Sequence, residues 1–163
     1  WVIIPLLVLL ASCSRSLVSE IPVPETQPQT QTANPSPLDV PTLQVGELSL
    51  SQLSNRGCGM TLWRKDQRGD RFLLFNGLQP NAMSMLINGK LVQFDRIQSS
   101  GQAFYGQTTS QIFRSQDGTT TAQVNVSLGK LGEIESVAVK AGFIRVIKGN
   151  QEITIPVVGD AGC

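Results

Sequence analysis

The chain has 163 residues and a formal net charge of +1, with 40% apolar, 6% aromatic and only 15% charged side chains. It contains no histidine, which excludes every Ser-His or Cys-His mechanism within the chain and any ordinary His-containing zinc site. So even a charge balance sets up no global field to gather nucleic acid or steer an anionic substrate.

Val2 to Leu10 is an almost unbroken apolar run, closed by Leu10-Ala11-Ser12-Cys13. The run is shorter than the roughly 20 apolar residues of a membrane span; it reads as the apolar part of an export signal whose upstream portion is missing. Leu-Ala-Ser-Cys resembles the lipobox of bacterial lipoproteins, in which small residues precede a cysteine that becomes the acylated N-terminus. The resemblance implies that residues 1–13 are a truncated signal segment and that Cys13 carries the acyl chains, palmitate among them. The partner of this end is then the lipid bilayer. Two chains anchor where one does not, since each buried methylene contributes about 0.8 kcal/mol. The expected location is extracytoplasmic and membrane-anchored, on the periplasmic face. Ser14 favours the outer over the inner membrane in a Gram-negative cell.

Residues 14–42 read as a tether. Pro22, Pro24, Pro28, Pro35, Pro37 and Pro41 are interleaved with Gln and Thr. Proline removes backbone donors and the polar residues have nothing to bury, so an extended spacer is expected.

From Leu43 to Cys163 short β-prone segments alternate with turn dipeptides, the pattern of an all-β barrel or closed sandwich of about eight strands. Leu43 to Leu53 alternates like a strand, although Ser49-Leu50-Ser51-Gln52 also fits the cap of a helical turn. Met60–Arg64 and Arg71–Phe75 flank a charged tip containing Lys65, Asp66, Arg68 and Asp70. Met83–Ile87 and Lys90–Phe94 flank Asn88-Gly89, the strongest short hairpin signal, which sets Met83 opposite Phe94 and Met85 opposite Val92. Gln111–Ser115 and Thr119–Leu128 flank Asp117-Gly118 and place Phe113, Ala122, Val124, Val126 and Leu128 on one face. Ile134–Lys140 is a further strand. Phe143–Lys148 and Gln151–Val157 flank Gly149-Asn150, with Val146 opposite Ile153 and Ile144 opposite Ile155. Pro156 points to an edge or a strand end, and Trp63, Phe72 and Phe75 read as core.

With Cys13 lipidated, Cys58 and Cys163 remain as an even pair at the two ends of the β region, the expected disulfide of an oxidising compartment. Glu133 and Glu135, two apart, read as a solvated strand face more readily than as paired catalytic carboxylates. Arg68-Gly69-Asp70 and the Asn125-Val126-Ser127 sequon are chance tripeptides. No glycine-rich phosphate loop follows a strand and opens a helix. Neither a catalytic residue nor a metal or cofactor site is assigned.

Ile97 to Gly106 reads as a loop between strands, and Ser99, Ser100, Gly101, Gln102 and Tyr105 are its candidate binding residues. Here the chain resembles the membrane-bound inhibitors of c-type lysozyme, small lipoproteins with an eight-stranded antiparallel barrel and a cysteine near each end of the domain. In that family a Ser-Gly loop with a following aromatic enters the enzyme cleft. Ser100-Gly101 matches the Ser-Gly, and Phe104 or Tyr105 the aromatic. Gln98 stands where the first motif Ser belongs, and Tyr105 falls one residue late. The residues from Leu43 onward include 12 basic and 9 acidic side chains, a charge unsuited to a basic lysozyme outside its cleft.

Three functions follow as expectations. The first is a non-enzymatic binding or structural domain with a protein or cell-wall partner. The second is a lysozyme inhibitor working through the segment around Ser100. The third is a cell-wall hydrolase using carboxylates, which the scarcity of acids disfavours.

Overall fold

Apolar–polar alternation and tight turns carry through to eleven strands in the computed structural model, which describes residues 41–53, 57–67, 71–131 and 135–163. They are β1 (Val45–Gly46), β2 (Leu48–Ser49), β3 (Gly59–Arg64), β4 (Arg71–Phe72), β5 (Leu74–Gly77) and β6 (Met83–Ile87). The longer strands follow: β7 (Lys90–Phe104), β8 (Gln107–Ser115), β9 (Thr120–Leu131), β10 (Ser136–Lys148) and β11 (Gln151–Gly162). Strands β3, β5, β6, β7, β8, β9, β10 and β11 pair in that order, all antiparallel, and β11 returns to β3. The result is a closed eight-stranded barrel with β1 added beside β6. Closure leaves few free edges to manage. The small β2–β4 ladder lies apart from the barrel sheet.

The expected registers hold. Met83 faces Phe94 and Met85 faces Val92; Phe113 faces Ala122; Ile144 faces Ile155 and Val146 faces Ile153. Inward positions form a continuous core in which Leu62, Met83, Met85, Phe94, Phe113, Val124, Ile144 and Val146 are fully buried. Leu43 to Leu53 contains both expected forms, because two short strands precede a 3-10 turn at Leu50–Gln52. The Gln52 Oε1 atom accepts the Ser49 N–H at 2.9 Å.

Several expectations are corrected. The expected strands Ile134–Lys140, from Ser136 onward, and Phe143–Lys148 belong to one strand, β10, interrupted by a bulge between Val139 and Gly142. Pro156 is interior to β11, but it sits where the β3 ladder stops: Val157 pairs with Arg64, and beyond it only the Pro156 carbonyl accepts the Lys65 N–H. A proline is tolerated there because no ladder donor is required on that side. Trp63, Phe72 and Phe75 are half-buried rather than core. Trp63 and Phe72 meet edge to face, with ring centroids 6.2 Å apart, while Leu73 and Leu74 turn inward instead. Glu135 lies in an exposed bend before β10 rather than on a strand. Cys13, the signal segment and the tether as far as residue 40 lie outside the described residues, as do Arg68-Gly69-Asp70 and Glu133. The last two tether residues lie within them, and the Pro41 carbonyl accepts the Gln151 Nε2 donor at 3.2 Å.

The expected disulfide is present: Cys58 and Cys163 are joined, with Cα atoms 4.1 Å apart. It adjoins the Gly59–Gly162 pair that begins the β3–β11 seam.

Candidate binding face

The segment Ile97 to Gly106 is not a loop. It is the far half of β7 running into a two-residue turn, Tyr105-Gly106, where Phe104 faces Gln107. Both turn residues have positive φ, 38° and 71°, as a tight hairpin turn of this hand requires. Two bulges bend the strand, one at Ile97 and one between Ser100 and Ala103. At the second, Gly101 has φ +85°, and a Cβ there would lie 2.2 Å from Thr109 Oγ1, so glycine alone fits. The Gln102 N–H donates to that same hydroxyl at 3.0 Å.

These bends bring the hairpin tip back to the barrel. Phe104 and Tyr105 are half-buried and pack against the core. Asn76, Gln107 and Gln111 are buried side by side. The Asn76 amide donates to Gln107 Oε1 and, at 3.4 Å, to Gln111 Oε1. Gln107 Nε2 donates to the carbonyls of Asn76 and Gly77 at 3.3 and 3.0 Å. Arg96 Nη1 donates to Gly106 O and Gln111 Oε1 at 3.0 and 3.2 Å. Buried amides are tolerable only when satisfied in this way. The network fastens the hairpin tip to β5.

Of the five candidate residues, Ser99, Ser100, Gly101 and Gln102 are exposed, while Tyr105 is turned toward the core. The barrel register places Ser100 in a larger arrangement that the sequence did not disclose. Ser100 faces Ser110, Ser110 faces Asn125, and Asn125 faces Phe143. Directly opposed residues share one sheet face. The four therefore form a row across the outside of the barrel, spanning roughly 14 Å at three strand spacings of about 4.8 Å. A parallel row runs Gln98, Ile112, Gln123, Arg145. Within these two rows the one charged side chain is Arg145, and it is engaged: its Nε and Nη2 atoms donate to the two Glu152 oxygens at 2.7 and 2.6 Å.

At one end of the Ser100 row the sheet opens. The β8–β9 ladder stops at Ser110–Asn125, and an open depression of about 480 Å³ lies over the gap, lined by Thr109, Ser110, Asn125, Val126, Ser127, Ala141, Gly142 and Phe143. Gly142 makes its floor: a Cβ there would lie 2.5 Å from the Asn125 carbonyl oxygen. Phe143 forms a wall and is 41% exposed.

Three carboxylates elsewhere, Glu47, Asp117 and Glu152, have structural tasks. Glu47 pairs with Arg64 and Arg71 at 3.6 and 3.7 Å. Asp117 organises the β8–β9 turn by accepting from Ser115 Oγ at 2.6 Å and from the Thr119 N–H and hydroxyl at 3.0 and 2.9 Å. The Ser115 hydroxyl leads these donors in holding the Asp117 carboxyl down at about 2. Bonding from Arg145 likewise lowers Glu152. Among the described residues no group of three or more Cys, Asp or Glu side chains could hold a metal ion. Compared with known proteins, the chain matches no family, no curated relative and no solved structure.

Proposed function

We propose that this protein is a non-enzymatic binding module, held outside the cytoplasm by a lipidated Cys13 and presenting the outer face of β7–β10 to a partner in the cell envelope. The observation that carries the reading is the Ser100–Ser110–Asn125–Phe143 row. It is an outward row of two hydroxyls, an amide and an exposed aromatic ring, with no charged side chain within it. A face of that make-up suits recognition by many weak polar contacts around one apolar anchor. The Cys58–Cys163 bridge supports an oxidising compartment. The absence of histidine and the structural engagement of Glu47, Asp117 and Glu152 favour binding over catalysis.

The test is site-specific photo-crosslinking in intact cells, with p-benzoylphenylalanine placed at Ser100, at Gln123 or, as a control at the far turn, at Asn150. Adducts are expected from the first two positions and not from the third. Equal labelling at all three, or none, defeats the reading. Metabolic palmitate labelling that persists in Cys13→Ala removes the anchor from it.

The lysozyme-inhibitor reading keeps one specific support, the exposure of Ser99, Ser100 and Gln102 on a bent hairpin. A lysozyme turnover assay distinguishes it, since inhibition must disappear in Ser100→Ala.

A further inference from the structure

We infer that the depression between β8 and β9 is a subsite for a sugar ring, and that the face it belongs to binds a neutral glycan chain. This rests on the binding-module reading above and names its ligand class. The argument begins with what lines the depression. Not one of its eight residues ionises, so it offers nothing to balance a phosphate or carboxylate group, and a nucleic-acid backbone or an acidic polymer finds no counter-charge. Nor is it an apolar groove for a helix or an acyl chain, because Thr109, Ser110, Asn125 and Ser127 place hydroxyl and amide groups along it. Such groups would lose their water to an apolar occupant without replacement.

A sugar ring has the complementary pair of properties. One face is a patch of C–H groups that can lie on an aromatic ring, and its rim carries hydroxyls that both donate and accept. Phe143 supplies the ring and is exposed on the depression. Asn125 supplies a side-chain amide that is half-buried and engages no protein hydrogen-bond partner among the described residues. Such an amide has two donors and an acceptor to offer a ligand. The hydroxyls of Ser110 and Ser127 flank it. Beyond the depression the row continues to Ser100, so a further ring of an extended chain would meet its hydroxyl. The nearest cation of the neighbouring row, Arg145, is paired with Glu152.

The experiment uses the full exported chain in detergent micelles, titrated calorimetrically with cello-, malto- and chito-oligosaccharides of about four to six rings, at concentrations up to about 10 mM. At least one series is expected to bind. Phe143→Ala and Asn125→Ala should each weaken that binding about tenfold or more, while Glu152→Gln leaves it within about twofold. Both weakened positions are on the surface, and unchanged melting temperatures verify that the variants fold. Binding by no series, or binding indifferent to Phe143→Ala, overturns the inference. The photo-adducts separate this failure from failure of the parent reading. An adduct at Gln123 that proteases degrade and glycosidases do not identifies a protein partner, which overturns the glycan and retains the binding face. Absence of adducts overturns both.

Discussion

Arg96 holds the hairpin made by its own strand: its Nη1 lies 3.0 Å from the carbonyl oxygen of Gly106, ten residues further along the chain. The same nitrogen reaches Gln111 Oε1 at 3.2 Å, so one guanidinium joins the start, the turn and the return of the β7–β8 hairpin. Charge-assisted bonds of this kind are stronger than neutral ones. Arg96→Met should therefore lower global stability by about 1–3 kcal/mol. The more telling effect is local: amide exchange across Gln102–Thr108 should accelerate well beyond the global loss. Unchanged protection in that segment would show that Phe104 and Tyr105 hold the tip without Arg96.

The amide network beneath the tip makes a sign-reversing prediction. Gln107→Leu leaves the Asn76 amide without its nearest acceptor and the Gly77 carbonyl without its side-chain donor. An unsatisfied buried polar group costs about 1–3 kcal/mol, and the single change should be destabilising by that amount. Replacing Asn76 by Leu as well removes one of the orphaned groups, so the double variant should recover part of the loss. Chemical denaturation of the four proteins of the cycle measures the coupling. Additive losses would mean that the two amides act independently.

Asp117 gives a pH dependence of known sign. Its carboxyl is held at about 2 by Ser115 and Thr119, below the value of about 3.9 for an unfolded chain. A depressed folded value contributes stability that is present above the unfolded value and disappears as pH falls through the folded one. The melting temperature of Asp117→Asn should therefore trail the wild type at pH above about 4, and the gap should close toward pH about 2. A gap that stays constant across that window would assign the effect to turn geometry rather than to ionisation.

How much of this was legible in the sequence depends on the turn. Asn88-Gly89 and Gly149-Asn150 each join strands by two residues, and such a turn fixes the register of every pair beyond it. Met83–Phe94 and Val146–Ile153 could be read for that reason. The β7–β8 turn was missed because Tyr105 occupies a position, φ 38°, where glycine or asparagine is the usual residue. The bulges at Ile97 and beside Gly101 also break the period of two. The bulge between Val139 and Gly142 similarly made β10 look like two strands. Ser100 could be picked out by composition alone. Its alignment with Ser110, Asn125 and Phe143 could not, since that needs three successive registers, two of them across bulged ladders. Trp63 and Phe72 misled because ring size argues for burial, whereas the strand positions that turn inward decide it, and those belong to Leu62, Leu73 and Leu74.

The disulfide closes the barrel where it closes last. Strand β11 meets β3 along the seam from Gly59–Gly162 to Arg64–Val157, and these partners come from opposite ends of the described domain. Cys58 and Cys163 lie immediately beyond the first pair of that seam and are 105 residues apart. Under the chain-entropy account a loop of that length stabilises the fold by about 4–5 kcal/mol, although measured losses range over about 2–5 kcal/mol. At this end the Cys163 N–H also donates to the Glu135 carbonyl at 3.1 Å, beside the Ser136–Gly162 pair of β10 and β11. Reduction, or the double change Cys58→Ser with Cys163→Ser, should thus lower stability by about 2–5 kcal/mol. The loss should be unevenly distributed. Amide exchange at Met60 and Ala161, on the seam, should rise before that at Ile144 and Val124, which face each other deep in the β9–β10 ladder. Thiol titration of unreduced protein should find neither cysteine free. Two titratable thiols would refute the bridge, and a uniform rise in exchange would show that it acts on the unfolded chain without bracing the seam.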